Sequence, residues 1–223
     1  MFFLKFLSRS VHDDHEQHQE LPPAGMVRIQ GTCKSLTVWR KSLIISCNGF
    51  TVIDSNGNLV YRVDNYVGHP EELILMDGSG KSIFTMRRPK KLRLTESWNV
   101  YEAEMGGGDQ DGASESTRSS KKPVWCVKKG INIFRGNSNV LAYVYKGSSS
   151  NKKYAKYVIE GSYGQRSCKV VDEAKRVVAE VKQKDAMIGG ISFGVEVFLL
   201  VVQPGFDPGF AMALLVLLDQ MFS

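Results

Sequence analysis

Cysteine is scarce in this chain of 223 residues, and what there is stands far apart. Cys33, Cys47, Cys126 and Cys168 form no C-x-x-C pair, which excludes a zinc ribbon and a thioredoxin-like redox motif. Three of them lie inside strand-like apolar runs and read as reduced, buried thiols of an intracellular protein, in preference to disulfides. Histidine is equally sparse. His12, His15 and His18 share a polar N-terminal stretch, and His69 sits in a Gly-His-Pro loop. Three-residue spacing would align the first three on a helix, yet their polar flanks and the absence of a companion cysteine fit a solvated tail. No metal site and no cofactor is therefore assigned. No G-x-S-x-G, H-E-x-x-H, P-loop or paired-carboxylate arrangement occurs either. The expectation is a protein that is not an enzyme.

Membrane-targeting signals are missing as well. The opening MFFLKFLSRS is too short and interrupted for a secretory apolar region, and Phe2 stands where N-myristoylation needs glycine. No C-terminal prenylation box is present. Phe2, Phe3, Phe6 and Leu7 beside Lys5 and Arg9 could rest on a membrane surface, but a frayed terminus is the simpler reading. Residues 1–26 are thus read as a disordered tail and 27–223 as one domain. Within it, the Gly- and Ser-rich stretch 106–123 reads as a disordered insertion loop.

A long uninterrupted hydrophobic run is the third absence. From Val195 to Phe222 the chain is strongly apolar, but Gln203, Pro204, Gly205 and Asp207 break it in the middle. Spanning a bilayer with the whole stretch would strand those groups in hydrocarbon. Taken alone, the part after Asp207 reads as a helix. Asp207 is a good N-cap, and Pro208 falls at the first helical position, where a missing N–H costs nothing. Some 15 residues give roughly 22 Å, short of the ~30 Å hydrocarbon slab. No transmembrane span is expected. A helix apolar on nearly all sides, Asp219 and Gln220 excepted, must then be enclosed by protein.

The remainder is strand pattern. Leu36–Lys41, Leu43–Cys47, Phe50–Asp54, Leu59–Val63, Leu73–Met76 and Ser82–Arg87 come first. Trp98–Ala103, Val124–Lys129, Leu141–Tyr145, Tyr154–Ile159, Ser167–Val171, Arg176–Val181 and Glu196–Val202 follow. Many alternate with period two, the mark of antiparallel strands with one wet face. A turn unit recurs in FTVIDSNGNLVYRV, LILMDGSGKSIFTM and CKVVDEAKRVVAEV. In each an aspartate (Asp54, Asp77, Asp172) closes one strand, and it reads as a turn-forming side chain and not as a metal ligand. Gly57 and Gly80 supply the positive φ that the first two turns need. These elements predict a mainly β fold, a closed antiparallel barrel of about 12 strands around the hydrophobic C-terminal helix. A helix filling the lumen would leave no deep substrate cavity.

Several stretches resemble the plant LURP-one-related family. The residues that carry the likeness are Val38-Trp39-Arg40-Lys41-Ser42-Leu43, the hairpins Asp54–Asn58 and Asp77–Lys81, Trp98, and the Asp-Pro-Gly-Phe-Ala-Met-Ala-Leu start of the last helix. That family is similar to tubby C-terminal domains and phospholipid scramblases, which implies a 12-stranded barrel around a central helix, a tubby-like fold. The resemblance further implies phosphoinositide binding, membrane-tethered regulation of transcription, and a link to defence against pathogens.

Net charge is +6 and the pI about 9.1, which points to acidic partners. The densest basic run is MRRPKKLR, with Arg87, Arg88, Lys90, Lys91 and Arg93, and Lys81 begins the same strand. Arginine offers bidentate donors to phosphate and lysine a point charge, so these six form the candidate anionic-lipid site. The alternative is a solvated loop that keeps a sheet edge soluble. A second cluster comprises Lys121, Lys122, Lys128 and Lys129, and Lys146, Lys152, Lys153 and Lys156 flank a Ser-rich tip. Three functions stay open. The first is a regulatory module on an anionic membrane surface (phosphoinositide), the second a protein-interaction scaffold. Nucleic-acid binding is disfavoured because no aromatic residue interleaves the basic run. The expected location is the cytoplasm, the inner face of the plasma membrane or the nucleus.

Overall fold

The computed structural model of the chain describes residues 31–44, 48–65, 71–89, 96–103, 122–130, 139–147, 155–184 and 194–223. Twelve strands appear among them: β1 (Lys34–Trp39), β2 (Asn48–Ile53), β3 (Leu59–Asn65), β4 (Glu72–Asp77), β5 (Ser82–Arg87) and β6 (Ser97–Glu102) in the first half. The second half supplies β7 (Trp125–Lys129), β8 (Val140–Lys146), β9 (Tyr157–Ser162), β10 (Ser167–Asp172), β11 (Val177–Gln183) and β12 (Val197–Val202), then the helix α1 (Pro208–Phe222). Each strand pairs antiparallel with its sequence neighbour, and β1 closes the ring on β12 from Lys34↔Val202 to Trp39↔Val197. An all-antiparallel ring needs an even number of strands, and closure leaves no edge to aggregate.

Strand alternation builds the interior. On β4, Leu73 and Leu75 point inward and are buried, while Ile74 between them is exposed. The same alternation puts Phe84 and Met86 of β5, Cys168 and Val170 of β10, and Phe198, Leu200 and Val202 of β12 into one apolar cluster with the helix. The helix is the cluster's centre: Phe210 to Leu218 are each buried. Asp207 caps it as expected, its side chain accepting from the Phe210 N–H, with Pro208 at the first position. Trp125 stacks on Phe210 at 4.7 Å, and Phe84, Tyr157 and Phe206 surround the same ring. Among the described residues no helix is long and apolar enough to cross a membrane.

The repeated turn works as the sequence predicts. Asp54 Oδ1 accepts from the N–H groups of Asn56 and Asn58, Asp77 Oδ1 from those of Ser79 and Lys81, and Asp172 Oδ1 from those of Ala174 and Arg176. Gly57 and Gly80 take φ of 84° and 92°, and in the third copy Lys175 occupies the equivalent place at 62°.

One expectation needs correction. No strand runs through Leu43 and Ile44, and residues 45–47 lie outside the described part. The Ser42 hydroxyl donates to Asp64 and accepts from the Ile44 N–H, which turns the chain out of the sheet. Beside the last turns of α1 a partly open hollow of about 310 Å³ is bordered by Arg40, Asn48, Asp219, Gln220 and Ser223. The tail 1–26, the loop residues 106–121, His69 and Cys47 lie outside the described residues, whereas Lys122 and Pro123 lead into β7 without regular structure.

Candidate functional site

Strand direction assigns each basic residue to one of two barrel mouths. Odd-numbered strands run with the helix, from the mouth at its start (the upper) to the mouth at its end (the lower), and even-numbered strands return. Lys81 precedes β5 and Arg87 ends it, so the strand's six residues hold them roughly 20 Å apart, at opposite mouths. Lys81 thus stands at the upper mouth with Lys122, Lys146 and Lys156, of which the first three are exposed. Lys156 pairs with Glu173 at 2.8 Å, and that carboxylate raises its pKa.

At the lower mouth the structure gathers members of both sequence clusters. Arg87 and Arg88 leave β5, Lys128 and Lys129 end β7, and β6 lies between. Glu96, just before β6, bridges them: its carboxylate meets Arg88 at 3.0 Å and Lys129 at 3.5 Å. Arg87 pairs with Glu72. Each cation also lies over an aromatic ring, Arg88 over Trp98 at 4.9 Å, Arg87 over Tyr101 at 5.6 Å, Lys128 over Tyr145 at 5.7 Å and Lys129 over Phe222 at 4.5 Å. Lys129 donates to the Met221 carbonyl too, placing positive charge on the helix C-terminus, where the macrodipole favours it. Lys90, Lys91, Arg93 and Lys121 lie outside the described residues, as do Lys152 and Lys153.

Pattern reading missed a second set of polar residues at this mouth. Asp219, buried on α1, accepts from Arg40 Nε at 2.7 Å, the Tyr163 hydroxyl at 2.8 Å and the Ser223 hydroxyl at 2.7 Å. Burial alone would lower the Arg40 pKa, but its hydrogen bond and charge interaction with Asp219 raise it. Burial first, then the Asp219 charge, pushes the Tyr163 phenol far up, so it remains a neutral donor. Arg166 lies between the Tyr163 and Phe198 rings, at 4.3 and 4.5 Å, and donates to the Val195 carbonyl. The signal that could have found this network is Asp219 itself: a carboxylate on an enclosed apolar helix needs donors from the wall.

The LURP-one-related family model matches residues 34–219, from the first residue of β1 to Asp219. This chain belongs to the LURP-one-related family. It is 49% identical over 227 residues to Protein LURP-one-related 17 of Arabidopsis thaliana, covering 99% of both chains. Protein LURP-one-related 8 of the same plant is 44% identical over 190 residues, 84% of this chain and 86% of that one. Protein LURP-one-related 5 is 38% identical over 199 residues, covering 87% and 86%. No solved structure gives a significant match. The matched span takes in all twelve described strands, so the barrel is the LURP-one-related unit.

Proposed function

We propose that this LURP-one-related protein is a non-enzymatic regulatory module that binds an anionic phospholipid surface, phosphoinositide-bearing in particular, through the basic lower mouth. The observation that carries the reading is the convergence of Arg87, Arg88, Lys128 and Lys129 there, from two runs far apart in the sequence. Lys90, Lys91 and Arg93, in the connection between β5 and β6, add to it by sequence. The ion pairs to Glu72 and Glu96 are no obstacle. Their side chains are between about a quarter and a half exposed, and exposed pairs contribute only ~0–1 kcal/mol. Near an anionic leaflet each cation gains about 1 kcal/mol. Lys81 and Lys122, at the upper mouth, are left out of this contact surface. A place at the inner plasma membrane or in the nucleus, defence, and transcription control rest on the family likeness alone.

The test is co-sedimentation with phosphatidylcholine vesicles with and without phosphoinositide. Wild type should sediment only with the anionic vesicles and less so as salt rises. The variant Arg87→Ala/Arg88→Ala/Lys90→Ala/Lys91→Ala should stay in the supernatant, whereas Glu72→Gln/Glu96→Gln should bind more tightly. Equal sedimentation of wild type and the quadruple variant ends the lipid reading. The alternative is a protein-interaction scaffold, favoured by the counter-charges that Arg87, Arg88 and Lys129 already have. A gel shift with duplex DNA, run on the same pair, tests nucleic-acid binding.

A further inference from the structure

Three large hydrophobic side chains are exposed among the described residues: Ile74 at 37%, Leu43 at 43% and Val195 at 46%. A single exposed apolar residue is ordinary on any protein surface, and Ile74, on the outer wall of β4, is of that kind. Leu43 and Val195 differ, because the fold holds them together. Leu43 follows β1 and Val195 precedes β12, so both stand at the lower mouth. The Arg40 N–H donates to the Glu196 carbonyl at 2.8 Å, which carries the β1–β12 pairing past Trp39↔Val197. Leu43 is three residues beyond that bond, and Val195 one residue before it. Each is presented from a fixed base. Ser42, buried, ties the chain before Leu43 to Asp64 and accepts from the Ile44 N–H. Gly194 opens a short 3-10 turn at φ 64°. The Val195 carbonyl accepts from Nε of Arg166, whose guanidinium is clamped between the Tyr163 and Phe198 rings.

Ring order sets this apolar pair against the basic residues. β1 and β12 lie across the barrel from β5, β6 and β7. A flat surface laid over the lower mouth therefore meets Leu43 and Val195 on one rim and Arg87, Arg88, Lys128 and Lys129 on the other. Around the pair, charge is locally balanced. Arg40 serves Asp219 at 2.7 Å and Glu196 at 3.7 Å, while Lys41, exposed, lies over the Trp39 ring. Two side chains, each less than half exposed, offer far less than the ~800 Å² per partner of a stable protein interface. Apolar tips with an aromatic ring and cations beside them are instead the composition of a membrane-surface contact.

We propose that Leu43 and Val195 enter the apolar layer of an anionic phospholipid membrane while the opposite rim holds its phosphates, so that the barrel stands on its lower mouth. The inference rests on the lipid reading and adds to it a part of the contact that salt does not screen. Vesicles and monolayers of phosphatidylcholine with phosphoinositide test it on the full-length protein. Wild type should sediment with the vesicles and, injected beneath the monolayer, raise its surface pressure. Leu43→Ser/Val195→Ser should bind the vesicles about tenfold or more weakly at every salt concentration and lose the pressure rise. Leu43→Phe/Val195→Phe should bind about threefold or more tightly than wild type. Ile74→Ser, an equal loss of exposed apolar surface off the mouth, should match wild type in both readouts. If wild type fails to sediment with the phosphoinositide vesicles, the lipid reading falls and the insertion with it. If wild type sediments but the double serine variant does so equally, or Ile74→Ser weakens binding as much, the insertion alone is overturned, and the mouth meets lipid through charge only.

Discussion

A carboxylate inside a ring of apolar side chains survives only if donors replace its water. Asp219 has donors from three places: Arg40 after β1, Tyr163 after β9 and Ser223 at the helix end. Removing the carboxylate leaves Arg40 and Tyr163 facing each other without it, and breaking a buried pair from one side typically costs ~3–5 kcal/mol. Arg40 is about a third exposed, so the lower figure applies. Asp219→Ala should therefore lose about 3 kcal/mol in urea unfolding, with Arg40→Ala close behind. Lys175 presents the opposite case. It holds φ at 62° where the two sister hairpins use glycine, and an L-residue pays roughly 1–2 kcal/mol for that conformation. Glycine also makes the unfolded chain more flexible, so Lys175→Gly should gain only ~0.5–1 kcal/mol, read as a higher urea midpoint at unchanged slope.

At the level of elements, the hairpin aspartates make stability depend on acid. The Ser79 hydroxyl, then the Lys81 N–H, hold the Asp77 carboxyl below its usual range, and the Arg176 N–H does most for Asp172. For Asp54 slight burial works against the shift, but hydrogen bonds from Asn58, Asn56 and Gly57 outweigh it. These carboxyls have lower pKa values folded than unfolded. Their contribution is complete above the unfolded value near ~3.9 and disappears as pH falls through the folded values. The thermal midpoint should be level above about pH 5 and decline below pH ~4. In Asp54→Asn/Asp77→Asn/Asp172→Asn it should start lower and decline less. An equally steep decline in the variant would place the acid sensitivity elsewhere.

Across the whole molecule, α1 is the surface on which the other twelve elements close. Truncating Leu214 or Leu217, each 1% exposed or less, to alanine should cost ~2–5 kcal/mol. Ending the chain at Gln203 should abolish cooperative unfolding altogether, because twelve inward strand faces would enclose a void. In hydrogen exchange the α1 amides should be among the slowest, at the global rate. A barrel that stayed cooperative without residues 204–223 would refute the core described here.

Much of this architecture was readable in the chain because it rests on local rules. Strand-like runs, many of them alternating with period two, located every described strand to within a few residues, and Ser82–Arg87 without error. The capped apolar helix declared itself through Asp207, Pro208 and a run that neither spans a membrane nor has a polar face. Leu43–Ile44 misled because apolar, β-prone residues were turned away by Ser42 and Asp64, partners 22 positions apart. The functional surface was less legible for the same reason of range. Proximity along the chain placed Lys81 with Arg87, whereas strand direction sends them to opposite mouths and brings Arg88 to Lys129 across Glu96. Local composition dictates what each segment becomes. Which charges meet and which carboxylate is clasped follow from ring closure and register, interactions between residues that no short window of sequence contains.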